Sequence, residues 1–410
     1  MNDLKLTDIS TNNTLSGKYK LFVVDSNNEV VRDYPWQKNL ILNQGMDAVP
    51  YYTYENLMRY AAGGNGTRSN SIYSADSSAS VAGNTVTLVP GVISGSIQAF
   101  TGSYGGYGSG LQVGDVIQFQ DFSQVQVLAV SGISASVTPG GTIPLQPFTI
   151  WKTSQVGLQS EYQRTNNYFA GAGYCQTTTL NTTSSVITQL RRTWDFNYET
   201  SPYTYTEVGV GWGSSENNTI LSRVILPTPV YIGSSQKLRL IYELDVAVSP
   251  TASYPGTPFT ASIAGWGTGS IVYGYQSVDA IIMAYVDGNG NQGGYSISEP
   301  AATSGPNLFV SNSSSSVVGG DKGGGFADQV GMATDAYVPG SYTLYRNGTF
   351  QVAQMARNDL RTIGFGLNYY GSSWADGHCA YFAVLTENQT KTNVQTLSLS
   401  WMWTWGRVLS

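Results

Sequence analysis

The strongest constraint on the fold is an alternation of apolar and polar residues that runs through positions 394–405 almost without a break. Large apolar side chains occupy every second position: Leu397, Leu399, Trp401, Trp403 and Trp405. Side chains of a β-strand alternate between its two faces, whereas a helix would spread these five around its circumference. The segment therefore predicts a long strand with one large apolar face.

A second segment, residues 237–248, repeats the pattern. Its apolar set is Leu238, Leu240, Tyr242, Leu244, Val246 and Val248, and its polar set includes Lys237, Arg239, Glu243 and Asp245. Two long alternating strands are typical of antiparallel sheets with one face on a core and the other wet or covered by neighbours.

Composition favours the same class. Only 11% of the 410 residues are charged, against roughly 25% in ordinary soluble domains, while Gly (47) and Tyr (28) are abundant. Such a chain supplies strands and turns rather than long helices. A surface poor in charge also favours a permanent assembly, because net charge is what keeps monomers apart; the alternative is a secreted β-protein with a polar, uncharged surface.

The predicted fold is all-β, with two β-sandwich (jelly-roll-like) domains and a small inserted SH3-like β-barrel. Residues 1–60 form an N-terminal arm with the first strands and a short helix, and 61–155 form the inserted domain. Residues 156–250, together with 18–45, form the first sandwich, and 251–410 form the second.

Local patterns place several elements. The alternating stretches 111–119, 125–130 and 133–137, separated by turn residues, indicate the strands of the small barrel. Residues 43–60 are the best candidate for a helix, which Pro50 would keep short. Asn347-Gly348 is a typical signal for a hairpin turn.

Five segments resemble structural proteins of tailed bacteriophages. They are Lys38-Asn39-Leu40-Ile41-Leu42-Asn43-Gln44-Gly45-Met46-Asp47, Glu207-Val208-Gly209-Val210-Gly211-Trp212, Leu221-Ser222-Arg223-Val224-Ile225-Leu226-Pro227, residues 236–244, and the C-terminal strand with Trp405-Gly406-Arg407. They cover about a quarter of the chain, and their order is more specific than any one of them. The resemblance implies a virion subunit of the tail, neck or an appendage, made in the host cytoplasm.

The expected partners follow from this interpretation: identical subunits in a ring or trimer, and other virion proteins. Direct nucleic-acid binding is not expected, because the net charge is −6 and no stripe of Lys and Arg is present. Membrane insertion is not expected either, because the sequence has no run of 18 apolar residues. The first residues also lack the pattern of a signal peptide.

The search for catalytic and metal-binding motifs predicts no enzyme, no cofactor and no metal. The single histidine, His378, precedes Cys379, and strand neighbours point in opposite directions, which disfavours a Cys–His pair. Residues 287–291 read Asp-Gly-Asn-Gly-Asn; a hairpin turn is the default interpretation, and calcium binding stays open.

A polysaccharide hydrolase is a third hypothesis, and it requires two carboxylates in one cleft. The candidates are Asp195, Glu199, Glu207 and Glu216, and their spacing in sequence does not single out a pair.

Tyrosines in or near predicted loops are the candidate contact residues: Tyr51, Tyr52, Tyr54, Tyr104, Tyr107, Tyr203 and Tyr205. Exposed tyrosines either anchor protein interfaces or stack on sugars. The first use fits a structural virion subunit, and the second fits a fibre protein that binds a host receptor or glycan.

Overall fold

The computed structural model of the chain describes residues 4–52, 54–65, 78–89, 111, 113–119, 123–131, 134–151, 157–158, 160–169, 176–181, 186–215, 219–249, 259–262, 268–272, 307–311, 326–331, 333–334, 336–351, 357–367 and 378–408. Strands account for 65% of the interpretable residues, and the described part contains two short helices. The prediction of an all-β chain is confirmed.

The largest sheet has thirteen strands. They are β1 (Leu4–Val24), β2 (Val30–Asp33), β3 (Gln37–Ile41), β4 (Tyr60–Gly64), β9 (Glu161–Thr165), β10 (Gln176–Asn181), β11 (Val186–Asp195), β12 (Tyr203–Gly211), β13 (Ile220–Ile232), β14 (Lys237–Ser249), β19 (Ala333–Thr334), β20 (Thr343–Phe350) and β23 (Leu397–Arg407). Its main path runs β10-β11-β14-β1-β3-β13-β12-β4-β9, and β23 joins β1 with β20 beside it.

Strand β1 lies at the centre of this sheet. One edge pairs antiparallel with β14 over residues 12–24, and the other pairs in parallel with β23 over residues 4–15 and then with β3 and β2. The N-terminal residues that the sequence analysis assigned to an arm thus form a strand on β23 of the same chain. Strands from 333–350 and 397–407, assigned to a second sandwich, join the same sheet.

The apolar face of β14 is buried, as the alternation in its sequence predicted. Leu238, Leu240, Tyr242, Leu244 and Val246 are all buried. The polar face is largely covered as well, because Lys237, Arg239 and Glu243 are also buried. In β23, Leu397 and Trp405 are buried in the same core cluster as the β14 residues. The two segments that predicted the fold class therefore line one core.

A four-stranded sheet forms a second unit. Its strands are β5 (Ser78–Val89), β6 (Val116–Phe119), β7 (Gln124–Ser131) and β8 (Ser134–Trp151). Strands β6, β7 and β8 each pair with the other two, so the pairing is cyclic. This unit has its own hydrophobic cluster, while Val116 belongs to the main core.

A six-stranded sheet has the order β15-β16-β22-β21-β17-β18. Its strands are β15 (Phe259–Ser262), β16 (Thr268–Val272), β17 (Asn307–Ser311), β18 (Phe326–Gly331), β21 (Arg357–Leu367) and β22 (His378–Lys391).

The two helices, α1 (Asn43–Ala48) and α2 (Tyr54–Leu57), fall where the sequence predicted a short helix. Helix α1 packs on β13 through Gly45, where an added Cβ would overlap the carbonyl oxygen of Leu221 and lie 2.9 Å from its Cα. The end of α2 is held by Arg192, whose guanidinium donates to the carbonyls of Glu55 and Met58 at 3.0 and 2.9 Å.

The hairpin turn predicted at Asn347-Gly348 was wrong. Both residues lie inside β20, where Asn347 pairs with Ser400 and Gly348 pairs with Leu399 of β23. An Asn-Gly pair permits a tight turn but does not require one, and the long-range pairing with β23 overrides the local preference. Residues 287–291 lie outside the described residues.

We expect Gly45→Ala to lower the free energy of unfolding by about 1–3 kcal/mol, the usual cost of forcing extra atoms into a packed site. The reason is that the new methyl meets backbone of β13 rather than a movable side chain. Thermal denaturation would measure the change. Gly406→Ala is the control, since nothing lies within 4 Å of a Cβ added there; equal losses in the two variants would contradict the packing argument.

Candidate functional site

The segments that carry the phage resemblance meet around helix α1. Leu42 donates its backbone N–H to the carbonyl of Leu221 at 2.9 Å, and the Gln44 side chain donates to the carbonyl of Ile220 at 2.7 Å. From the C-terminal strand, Trp405 donates its indole N–H to the carbonyl of Met46 at 2.8 Å. These residues therefore hold α1 between β13 and β23, and we call this arrangement the α1 node.

Two further residues, Arg407 and Asp47, stabilise the α1 node. Arg407 donates to the carbonyl of Ile41 at 2.7 Å and to the side chain of Asn43. Asp47 accepts hydrogen bonds from the Tyr337 hydroxyl at 2.6 Å and from the backbone N–H of Gly340 at 2.7 Å. All of these groups bond to partners in the same chain, so the role of this node within the molecule is to connect strands.

The middle segments of the resemblance share a buried ion pair. Glu207 of β12 and Arg223 of β13 lie 2.7 Å apart, and their side chains are 0% and 3% exposed. The second carboxylate oxygen of Glu207 accepts the backbone N–H of Ser160 at 2.7 Å. The guanidinium and the amide compensate for the hydration that this buried carboxylate has lost. Because separating such a pair is costly, it favours the pairing of β12 and β13 that keeps Glu207 beside Arg223.

Glu199 is the centre of a different cluster, which we call the tyrosine cluster and define as Glu199, Tyr162, Gln163, Tyr203 and Tyr205. Glu199 accepts hydrogen bonds from the hydroxyls of Tyr205 at 2.8 Å and Tyr162 at 2.9 Å, and from the Gln163 amide at 3.0 Å. It is only 3% exposed, and all three of these donors are uncharged. Two tyrosine hydroxyls and one amide thus converge on this single buried acid.

The rings of the tyrosine cluster pack in an ordered way. Tyr162 and Tyr203 are stacked, with ring centroids 3.8 Å apart and an angle of 14° between the planes. Tyr203 and Tyr205 meet edge to face at 4.9 Å. Tyr205 is fully buried, while Tyr162 is 46% exposed. The cluster thus runs from the core to the surface.

A β-bulge explains how neighbouring side chains of β9 reach the same acid. Gly63 pairs with Gln163 and Gly64 pairs with Glu161, which leaves Tyr162 as the extra residue. A bulge redirects side chains that would otherwise alternate between faces. Tyr162 and Gln163 can therefore both bond to Glu199.

The phenol pKa values in the tyrosine cluster are raised. For Tyr162 the main cause is the hydrogen bond it donates to Glu199, followed by burial and the carboxylate charge. For Tyr205 burial is the main cause, and the bond to Glu199 adds to it. Both hydroxyls therefore stay protonated as donors well above neutral pH.

The structure separates the seven tyrosines that the sequence singled out. Tyr51 and Tyr52 are exposed; Tyr51 meets Tyr337 edge to face and Tyr52 lies against Trp212. Tyr54 and Tyr205 are buried within the chain, which differs from the expectation of loop positions and leaves them no surface to present. The positions 104 and 107 lie outside the described residues.

The carboxylates considered for glycoside hydrolysis are held by different partners. Asp195 pairs with Arg239 at 2.5 Å and with Lys237 at 2.8 Å. Burial raises the pKa of Asp195, but the bonds and charges of these two cations outweigh burial and hold it below its usual value. Glu199 and Glu207 have the partners given above, and Glu216 lies outside the described residues.

Tyr162 and Gln163 were missed by the sequence reasoning. The signal that could have found them is Glu161-Tyr162-Gln163-Arg164, in which a tyrosine interrupts polar residues in a short strand. That pattern does not reveal a bulge, because a bulge depends on how Gly63 and Gly64 pair with this strand.

Two further observations concern metals and membranes. Within the described ranges, no three His, Cys, Asp or Glu side chains are grouped as a metal ion would need. Neither helix of the described residues is long and apolar enough to span a membrane.

Comparison of the chain with protein-family models, with curated proteins and with solved structures found no match in any of the three.

We expect Arg223→Ala to lower the free energy of unfolding by about 3–5 kcal/mol, because it leaves the Glu207 carboxylate buried without its cation. The double variant Glu207→Gln/Arg223→Met should lose less than the single one. Chemical denaturation would measure both. The control is Lys20→Ala, which removes the exposed Lys20–Asp33 pair (3.0 Å) and should cost about 0–1 kcal/mol.

We expect Glu199→Gln to lower the pKa of Tyr162 towards its usual value, because the carboxylate that favours the protonated phenol is gone. Tyrosine-labelled carbon NMR would follow each phenol through alkaline titration, with Tyr162→Phe used to assign the signal. Glu29→Gln, at an exposed position, is the control. An unchanged Tyr162 titration would contradict the assigned bond.

The hydrogen bonds from Tyr162 and Tyr205 to Glu199 also determine whether the free energy of unfolding rises or falls at high pH. The folded chain keeps the Tyr162 and Tyr205 protons that the unfolded chain releases near pH 10, since both pKa values are raised. Above that pH the unfolded state binds fewer protons, so stability falls as pH rises. Tyr162→Phe should flatten this fall in denaturation curves, and an unchanged slope would contradict it.

Proposed function

We propose that this chain is a non-enzymatic structural subunit of a tailed-phage virion, acting in the tail, neck, baseplate or fibre attachment through permanent contacts. The observation that carries the proposal is the α1 node. The segments that resemble phage structural proteins are distant in sequence, and here they contact one another through Leu42, Gln44 and Trp405. Their shared use is to hold strands together, which is what a structural subunit requires of them.

The surface of the main sheet supports contacts with other subunits. Strand β2 pairs with β1, and all four of its residues are exposed. Val30 and Val31 are 50% and 45% exposed, and Tyr231 of β13 is 50% exposed. Apolar side chains on a strand at the margin of a sheet are usual sites of protein association. Identical subunits in a ring or trimer, and other virion proteins, are the proposed partners.

The proposed architecture is finer than the all-β class. The cyclic pairing of β6, β7 and β8 supports a small SH3-like barrel inserted at 61–155. The six-stranded sheet, whose strands lie between residues 259 and 391, supports a second sandwich, and the thirteen-stranded sheet, which also takes β19, β20 and β23, supports a first one. We propose two jelly-roll-like sandwiches on this basis.

The test is the state of assembly. We expect the purified chain to sediment as a closed oligomer whose interfaces each bury more than about 1,000 Å², the size that permanent contacts need. Negative-stain microscopy should show a ring or trimer, and mass spectrometry should detect the chain in purified particles. A stable monomer that is absent from particles would contradict the proposal.

A second candidate function is recognition of a host receptor or glycan. The observation that favours it is the exposure of ordered aromatic rings, namely Tyr51 at 54%, Tyr52 at 40% and Tyr162 at 46%. Such rings bind sugars by stacking on their C–H faces, and a virion subunit can carry this role in addition to its structural one.

A further inference from the structure

The ring of Tyr162 has one covered face and one open face. Tyr203 stacks on it at 3.8 Å, and the side chain remains 46% exposed. Its hydroxyl donates a hydrogen bond to Glu199, so the ring is fixed both by stacking on Tyr203 and through its hydroxyl. Strand β9 is the last strand on the main path of the sheet, which places the ring at the sheet margin. A fixed aromatic surface is therefore presented outward.

The charged groups around this ring are buried, either in ion pairs or, for Glu199, among uncharged donors. Glu161 and Arg164 form a pair at 2.6 Å, with side chains only 5% and 6% exposed. The Glu207–Arg223 pair is buried, and Glu199 is covered by its three donors. The exposed residues that flank Glu199 along the chain are Asn197, Tyr198 and the Thr-Ser-Pro segment 200–202, and none of them is charged. The chemistry favours an uncharged ligand with many hydroxyl groups.

The exposed area of the Tyr162 ring also indicates what kind of ligand it could bind. A tyrosine side chain contributes at most about 200 Å² of contact, so half of it offers about 100 Å². A stable protein interface needs about 800 Å² from each partner. A single open ring could supply only a small part of a protein interface, but it matches the face of one sugar ring.

We propose that the tyrosine cluster is a carbohydrate subsite, in which the open face of Tyr162 stacks on a neutral pyranose ring of a glycan. Gln163 and Glu199 act as positioning residues, because they fix the Tyr162 ring through its hydroxyl and its strand. Stacking on a ring that is already ordered loses little conformational entropy. This inference rests on the second candidate function and names its ligand class and its site.

The experiment uses the full chain and defined probes: neutral gluco-, galacto- and manno-oligosaccharides on an array, with calorimetry for those that bind. We expect at least one to bind and Tyr162→Ala to weaken it by about tenfold or more, since stacking on an aromatic ring is of that order. Tyr162→Phe should lose less affinity than Tyr162→Ala, because the ring and its stacking on Tyr203 remain while the hydroxyl that Glu199 holds is gone.

The matched control is Tyr345→Ala, at a tyrosine of similar exposure on β20. A second measurement needs no variant: bound oligosaccharide should protect Tyr162 of the unaltered chain from hydroxyl-radical oxidation, read by mass spectrometry, and leave Tyr345 unprotected. Absence of binding to every neutral oligosaccharide, or equal effects at Tyr162 and Tyr345, would overturn the inference. Sedimentation of the same samples reports on assembly separately, so a failed sugar site is distinguished from a failed structural role.

Discussion

The pairing of β1 on both of its edges is the constraint on which the rest of the main sheet depends. One edge carries β14 for thirteen residue pairs, and the other carries β23, β3 and β2 in succession. Each backbone group of a central strand must find a partner, because an unpaired buried amide is costly. Meeting that demand brings together strands from residues 4–24, 237–249 and 397–407, which are far apart in sequence.

Several of the few charges of this chain are buried in ion pairs within it. Glu207 with Arg223, Asp195 with Arg239 and Lys237, and Glu243 with Arg191 all combine a buried carboxylate with a guanidinium or ammonium group. Buried pairs add little net stability, but breaking one is expensive, so they favour one register over others. We therefore infer that these buried charges help to specify strand pairing.

The two groups of residues emphasised by the sequence have different physical roles. The segments that resemble phage proteins form the α1 node, in which backbone carbonyls are the main acceptors. The tyrosine cluster is built instead from side chains around Glu199 and reaches the surface at Tyr162. The α1 node connects strands, and the tyrosine cluster exposes the ring of Tyr162 at the surface. A structural role and a recognition role can thus occupy separate parts of one sheet.

Local patterns predicted some of this accurately. Alternation in 237–248 identified β14 and its buried face. The site was harder: Glu199 was named only as a candidate hydrolase acid, Tyr203 and Tyr205 were named as loop tyrosines, and Tyr205 is buried. Tyr162 depends on a bulge against Gly63 and Gly64, and Asn347-Gly348 is drawn into β20 by β23. Both outcomes depend on partners that the local sequence does not specify.

The sequence by itself determined the all-β class, because a period of two in side-chain character can bury one face only in a strand. It also determined which residues are apolar enough to line the core. The tertiary structure alone decided which strands became neighbours, which acids met cations and which tyrosines stayed at the surface. Those choices depend on long-range backbone pairing and on the desolvation of each buried group, and neither is encoded within a short stretch of residues.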